Sequence, residues 1–208
     1  MLSDVLSKIK WLGHDGFEIS SDDIRLVVDP YQIEDGEPAD IILITHPHFD
    51  HCSVDDIEKI RTPATVFVTE AESARKLTGD VRVVKPGDRL TVMGIDIEAV
   101  PAYNTNKDFH PKKNKWLGFI ITIDGVRIYH AGDTDLIPEM NDLSVDIALL
   151  PVSGTYVMTA AEAVEAAGKI KPKVAIPMHY DAIVGTRDDA AKFKAALSGV
   201  CEVVVLNK

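Results

Sequence analysis

The chain has 208 residues, with 22 basic and 33 acidic side chains and a formal charge of −11. Hydrophobic residues make up 46% and charged residues 26%, a globular balance that excludes a disordered chain. The acidic balance argues against a general nucleic-acid or anionic-membrane binder, which carries a basic footprint.

The length suits one domain spanning 1–208. At the N-terminus, Asp4, Lys8 and Lys10 interrupt the apolar residues, so no signal-peptide core forms there. No apolar run reaches the length of a membrane span. Short runs rich in β-branched residues recur at 24–28, 41–45, 64–68, 81–84, 95–100, 117–123, 126–129, 145–150, 174–176 and 203–206. Several alternate polar and apolar residues, as strands with one wet face do. Asp124-Gly125 between two runs predicts a two-residue hairpin. Thr69-Glu70-Ala71-Glu72 reads as a capping box opening a helix to Leu77. Thr159-Ala160-Ala161-Glu162 opens a second helix to Ile170, which Pro172 stops. A third helix is expected over 188–197, with Gly199 beyond its end. The pattern predicts two layers of sheet with helices packed outside. Cys52 and Cys201 are far apart and form no CxxC, which suits a reducing cytoplasm.

Seven histidines carry most of the chemistry: His14, His46, His48, His51, His110, His130 and His179. Three of them fall in Thr45-His46-Pro47-His48-Phe49-Asp50-His51, directly after an apolar run. Residues two apart in extended chain point the same way. His46 and His48 can therefore grip one metal, while Asp50 and His51 reach a neighbouring position. Imidazole and carboxylate suit zinc, manganese or iron alike.

HxHxDH after an apolar strand resembles the signature of the metallo-β-lactamase superfamily. The resemblance implies an α/β fold of four layers, an αββα sandwich, with one or two metals between the sheets. Asp29 in Val27-Val28-Asp29-Pro30 matches an early aspartate that accepts a hydrogen bond from a ligand histidine. Asp133 in His130-Ala131-Gly132-Asp133 matches the metal-bridging aspartate, and His179 in Ile176-Pro177-Met178-His179 matches the final ligand. The opening Trp11-Leu12-Gly13-His14 and the compact length are similar to the UlaG-like branch, which includes a sugar-phosphate lactonase. One motif departs. Where many members carry a histidine, this chain reads Pro101-Ala102-Tyr103-Asn104. His110 is the expected replacement as third ligand of the first metal, with Asn104 as a weak oxygen ligand the alternative.

The expected ligand set is thus His46, His48, Asp50, His51, His110, Asp133 and His179, holding one or two Zn²⁺, with Mn²⁺ or iron as alternatives. Such metals activate water at neutral pH and polarise the oxygen under attack. Asp50 is expected to orient that water or accept its proton. His130 is the second catalytic candidate, on a pocket wall, with a structural histidine as the alternative. His14 is read the same way, near the site or structural. The loop 101–115 sets Lys107, Lys112, Lys113 and Lys115 against Asp108 alone, which suggests capture of an anionic small-molecule substrate, with Lys107 and Tyr180 touching it. The function expected is hydrolysis of an ester, lactone or phosphoester. An iron oxidoreductase on the same fold, a nuclease and a non-catalytic metal-binding module are the rivals. Flavodiiron enzymes have a glutamate where this chain has His48 and carry a further domain. The nucleases carry a long substrate arm that is missing here. Oligomeric state is not legible.

Overall fold

A computed structural model describes residues 1–21, 23–34 and 36–208. The first sheet runs β1 (Ile9–Gly13), β2 (Gly16–Ser20), β3 (Arg25–Val28), β4 (Ile41–Ile44), β5 (Val66–Thr69) and β6 (Asp80–Val83), paired in that order. The second holds β7 (Arg89–Val92), β8 (Ile95–Pro101), β9 (Leu117–Ile123), β10 (Val126–His130), β11 (Ile147–Pro151), β12 (Val174–Met178) and β13 (Glu202–Val203), also paired in chain order. Each sheet begins with antiparallel hairpins and ends with parallel strands. Parallel neighbours need crossovers, and helices supply most of them, the β3–β4 connection having none among the described residues. Among them, α2 (Val54–Ile60) and α3 (Ala71–Ala74) serve the first sheet. Helices α4 (Ala160–Ile170) and α5 (Arg187–Ala196) serve the second, and α1 (Leu2–Ser7) precedes β1.

The period of two in a strand builds the layers. In β4, Ile41 and Leu43 join Phe17, Phe119 and Ile121 in the core between the sheets. Ile42 and Ile44 point the other way and pack with Ile57 and Ile60 of α2. Both faces of β4 are therefore buried, as expected of an uninterrupted apolar run in a parallel sheet. The expected αββα sandwich follows, with its main core between the sheets.

The expected hairpin forms at Asp124-Gly125, both residues at positive φ (50° and 73°). Other expectations are corrected. Thr69 does not cap a helix: it ends β5, and its hydroxyl donates to the Ile44 carbonyl (2.9 Å). Glu70 caps instead, its carboxylate accepting from the backbone of Glu72 and Ser73, and α3 stops at Ala74 rather than Leu77. The run 203–206 yields only Glu202–Val203 as strand. β1, β2, β7, α1 and α2 are further elements that the sequence reading did not place. None of the described helices is long and apolar enough to cross a membrane.

Strand direction decides where function sits. β3 and β4 are parallel, and β8, β10, β11 and β12 all run one way in the second sheet. Asp29, the HxHxDH loop, Asn104, Asp133, Ser153 and His179 each follow the carboxyl end of one of these strands. In open parallel sheets that edge is where ligands bind. The β1–β2 turn reaches the same edge, because β2 runs antiparallel to β3 with Phe17 opposite Val28.

The Thr159 hydroxyl accepts from the Glu162 N–H (3.2 Å) and Glu162 accepts from the Thr159 N–H (2.7 Å), the expected box opening α4. Thr159→Ala removes that cap, at a cost of about 1 kcal/mol. Thermal unfolding should show Tm lower by about 2–4 °C, with bound metal unchanged.

Candidate metal centre

Six histidines and two aspartates meet where the strand ends converge. Asp29 organises one side. Its Oδ1 accepts from the Thr45 backbone N–H (2.8 Å), and its Oδ2 accepts from the Thr45 hydroxyl (2.6 Å) and from His51 Nδ1 (2.8 Å). His51 thus carries a proton on Nδ1; burial disfavours its charge, but Asp133 and Asp29 hold it well above the usual histidine range, so a metal at Nε2 would displace a proton. The same Thr45 hydroxyl lies 2.9 Å from His46 Nδ1. Having given its one proton to Asp29, it can only accept there, so His46 presents a bare Nε2.

The other histidines follow the same rule. Ser153 Oγ donates to the Thr155 carbonyl (3.2 Å) and so accepts from His179 Nδ1 (2.9 Å). Asn104 Nδ2 donates to the Tyr156 carbonyl (2.8 Å), which aims Oδ1 at His110. That oxygen accepts from both the backbone N–H (2.9 Å) and Nδ1 (3.1 Å) of His110. Asn104 is therefore the anchor of His110 and not a ligand in its place. His48 is the exception in orientation, its Nδ1 lying 2.9 Å from His46 Nε2. Two nitrogens that close need a proton or a cation between them.

Asp133 is the hub, 4% exposed. Its Oδ2 lies 3.0 Å from His110 Nε2, 3.4 Å from His179 Nε2 and 3.9 Å from His46 Nε2, and its Oδ1 lies 3.4 Å from His51 Nε2. Two donor groups meet around it: His46, His48 and His110 form one, and Asp15, His51, Asp133 and His179 form the other, while His14 with His51 and His179 makes a third that overlaps the second; donor atoms lie within 4.8 Å of each other in each. Gly132 places the hub: at φ +61° a Cβ would meet the Leu117 carbonyl oxygen at 2.5 Å.

Burial works against a charged Asp133, but the His179 and His51 imidazoles outweigh it and hold the carboxyl well below its usual range. Burial, then the charge of His51, pushes His46 well below the usual histidine range, so it stays neutral and able to ligate. The buried His51 Nε2, His110 Nε2, His179 Nε2 and Asp133 Oδ1 have no hydrogen-bond partner. Buried polar atoms without partners are costly, and a divalent cation satisfies such a donor set.

Asp50 stands at the edge of the centre. Its Oδ2 lies 3.1 Å from His14 Nε2 and 3.8 Å from His51 Nε2, outside these donor groups. Burial would raise its carboxyl, yet the hydrogen bond from His14 and the charge of His51 bring it down to about 2. Trp116 walls the first group, its ring centroid 5.0 Å from His46 and 4.8 Å from His48.

Three expected residues play other parts. His130 lies buried with Nε2 donating to the Asp15 carbonyl (2.9 Å) and Nδ1 accepting from the Gly132 N–H (3.2 Å), which leaves no nitrogen for catalysis. Lys107 is bound to the buried Asp135 at 2.6 Å, and Lys112 to Glu139 at 2.9 Å, so two of the loop's four lysines are already paired. Tyr180 is buried and stacks on Trp11 (4.7 Å) instead of facing the metal groups. His14 is a site residue, and Asp15 is one that the sequence reading missed altogether. The signal was a polar pair between two glycines, Gly13 and Gly16, in a turn otherwise flanked by apolar residues.

A family model described as a β-lactamase superfamily domain matches residues 8–179. The chain belongs to that superfamily, in its metallo-β-lactamase fold. It is 33% identical to a protein of Thermococcus onnurineus over 96% of both chains and 34% identical to one of Thermococcus kodakarensis over 96% of both, each named a UPF0173 metal-dependent hydrolase. A crystal structure from Parabacteroides distasonis superposes with a TM-score of 0.86 at 37% identity, covering 96% of this chain and 93% of that one.

His110→Ala should lower bound metal from about two ions toward one per chain, because the first group loses its third imidazole. Asn104→Ala frees the His110 ring without removing it and should weaken one equivalent by about 10–100-fold. Elemental analysis with a competing chelator checks both; full occupancy in His110→Ala would remove it from the ligand set.

Proposed function

We propose that this superfamily member, a metal-dependent hydrolase like its relatives, cleaves a small ester, lactone or phosphoester and holds an anionic part of the substrate beside the metals. The observation that carries the reading is the convergence of oriented imidazole Nε2 atoms on the buried Asp133. Divalent metal bound there supplies an acidified water as nucleophile and a Lewis acid at the oxygen under attack.

The chain's own groups do the rest. Asp133 spans the two donor groups and fixes their spacing. Asp50, ionised at neutral pH, accepts a hydrogen bond from the attacking water. Its place beside His14 and His51 suits it to orient that water or accept its proton. No nucleophilic side chain is needed, so no covalent enzyme intermediate forms.

Lys107 is spent on Asp135, so the anion is held elsewhere. A cavity of about 280 Å³ adjoins the centre at His14 and is lined also by Tyr31, Gln32, Asp181, Arg187 and Lys208. Arg187 gives its Nε to Asp181 (2.7 Å). A guanidinium has further donors, and a carboxylate or phosphate in the cavity would take them.

Chelation should abolish hydrolysis across a panel of lactones and phosphoesters, and Zn²⁺ or Mn²⁺ should restore it. Undiminished turnover by metal-free protein overturns the mechanism. Arg187→Gln should raise KM for anionic substrates about tenfold and leave neutral ones nearly unchanged, with added salt acting the same way. Equal losses for both kinds of substrate would remove the cavity from the assignment.

A further inference from the structure

Asp15 lies outside the ligand set that the family resemblance implies, yet it is 0% exposed and neither carboxylate oxygen has a hydrogen-bond partner. Its Oδ2 is 3.8 Å from His51 Nδ1, and the carboxylate shares a donor group with His51, Asp133 and His179. A buried carboxylate without a partner is strongly unfavourable unless a proton or cation joins it.

The backbone aims this side chain inward. The β1–β2 pairing shifts register between Trp11 and Gly13, and Gly13 and His14 both have positive φ (100° and 53°). Irregularities of this kind re-aim side chains next to active sites. Three donors then pin the turn. Trp11 Nε1 (2.9 Å) and the His179 N–H (3.1 Å) donate to the His14 carbonyl, and His130 Nε2 (2.9 Å) donates to the Asp15 carbonyl. A left-handed His14 held from three sides is a conformation that surrounding structure must enforce.

We propose that Asp15 is a protein donor to the metal held by His51, Asp133 and His179, which makes that position oxygen-rich while His46, His48 and His110 keep the other nitrogen-rich. Two imidazoles with two carboxylates suit a harder cation, Mn²⁺ or Fe²⁺; three imidazoles suit Zn²⁺. Two buried carboxylates also match the double charge of one such ion. The two positions therefore rank metals differently, and Asp15 sets the difference.

The inference rests on the metal-centre reading but is tested by binding alone. Metal-stripped protein is titrated with Mn²⁺ and with Zn²⁺, following heat of binding, metal content and thermal unfolding. Wild type should take up both ions at distinct affinities, with Mn²⁺ favoured at one position. Asp15→Asn, of the same shape, should weaken that Mn²⁺ equivalent by more than about 100-fold, beyond what loss of a merely supporting residue gives. Its Zn²⁺ equivalent at the three-histidine position should be unchanged. The metal-free Tm should be equal to or above wild type, since a buried unpaired carboxylate has gone, and the Tm rise on adding Mn²⁺ should shrink. Asp15→Ala, run in parallel, should give the same metal profile. Unchanged Mn²⁺ affinity in both variants overturns the proposal and makes Asp15 a protonated acid bonded to Asp133. Identical ranking of the two metals at both positions in wild type overturns it as well. A chain that binds as stated but hydrolyses nothing would sink the hydrolase reading and leave this one standing.

Discussion

The centre depends on where four imidazole protons are held. His46, His51, His110 and His179 each have Nδ1 against an oxygen, from Thr45, Asp29, Asn104 and Ser153 in turn. Fixing a proton on Nδ1 leaves Nε2 as the ligand atom and sets its direction. Four Nε2 atoms then face one buried carboxylate. Without those acceptors the rings could rotate or change tautomer, and Asp133 would have no reason to lie unpaired among them.

The fold serves this constraint by lining up strand ends. Each acceptor lies at or near the carboxyl end of a strand whose register with its neighbours is fixed by ladder bonds and a buried core. Loops alone would not hold such positions well; sites on rigid elements are the more accurate ones. The local backbone is bent to fit. His14, Asp29 and His179 have φ of 53°, 43° and 59°, all left-handed and all within the centre. Other left-handed residues, such as Met93, Lys115 and Lys171, lie in turns and helix ends away from it, but at these three the surrounding structure holds side chains that face the centre.

How much of this was legible follows from what was local. His46, His48 and His51 share one short segment, so spacing alone exposed them. Asp29, Asp133 and His179 stood out only through the resemblance to the superfamily's motifs. The residues misjudged depend on contacts across the chain. Lys107 reads as a free cation until Asp135 is brought to 2.6 Å. His130 reads as a chemical group until both its nitrogens meet backbone. Thr69 reads as a cap until β5 claims it for a bond to β4. Asp15 was hidden for the opposite reason. Its turn looked ordinary, and only closure of the second sheet over the first buries it beside His51 and Asp133.

At Pro101-Ala102-Tyr103-Asn104 the strand end carries an anchor for His110 instead of a histidine. The resemblance implies a histidine after this strand, while this chain has Asn104 there and His110 six residues on. A ligand on a loop would ordinarily be poorly fixed. Here Asn104 holds the loop at both levels, its backbone N–H donating to the His110 carbonyl (2.8 Å) and its side-chain oxygen accepting twice from His110. Phe109 packs edge-on against Tyr156 (4.6 Å), whose carbonyl in turn fixes the Asn104 amide. The strand end therefore supplies the anchor, and the loop supplies the ligand. Because the anchor sits where the rigid sheet ends, the bare Nε2 of His110 reaches Asp133 at 3.0 Å with the same support as ligands that follow their strands directly. What the centre requires of this position is a fixed nitrogen, and the identity of the residue at the strand end is free to change so long as it delivers one.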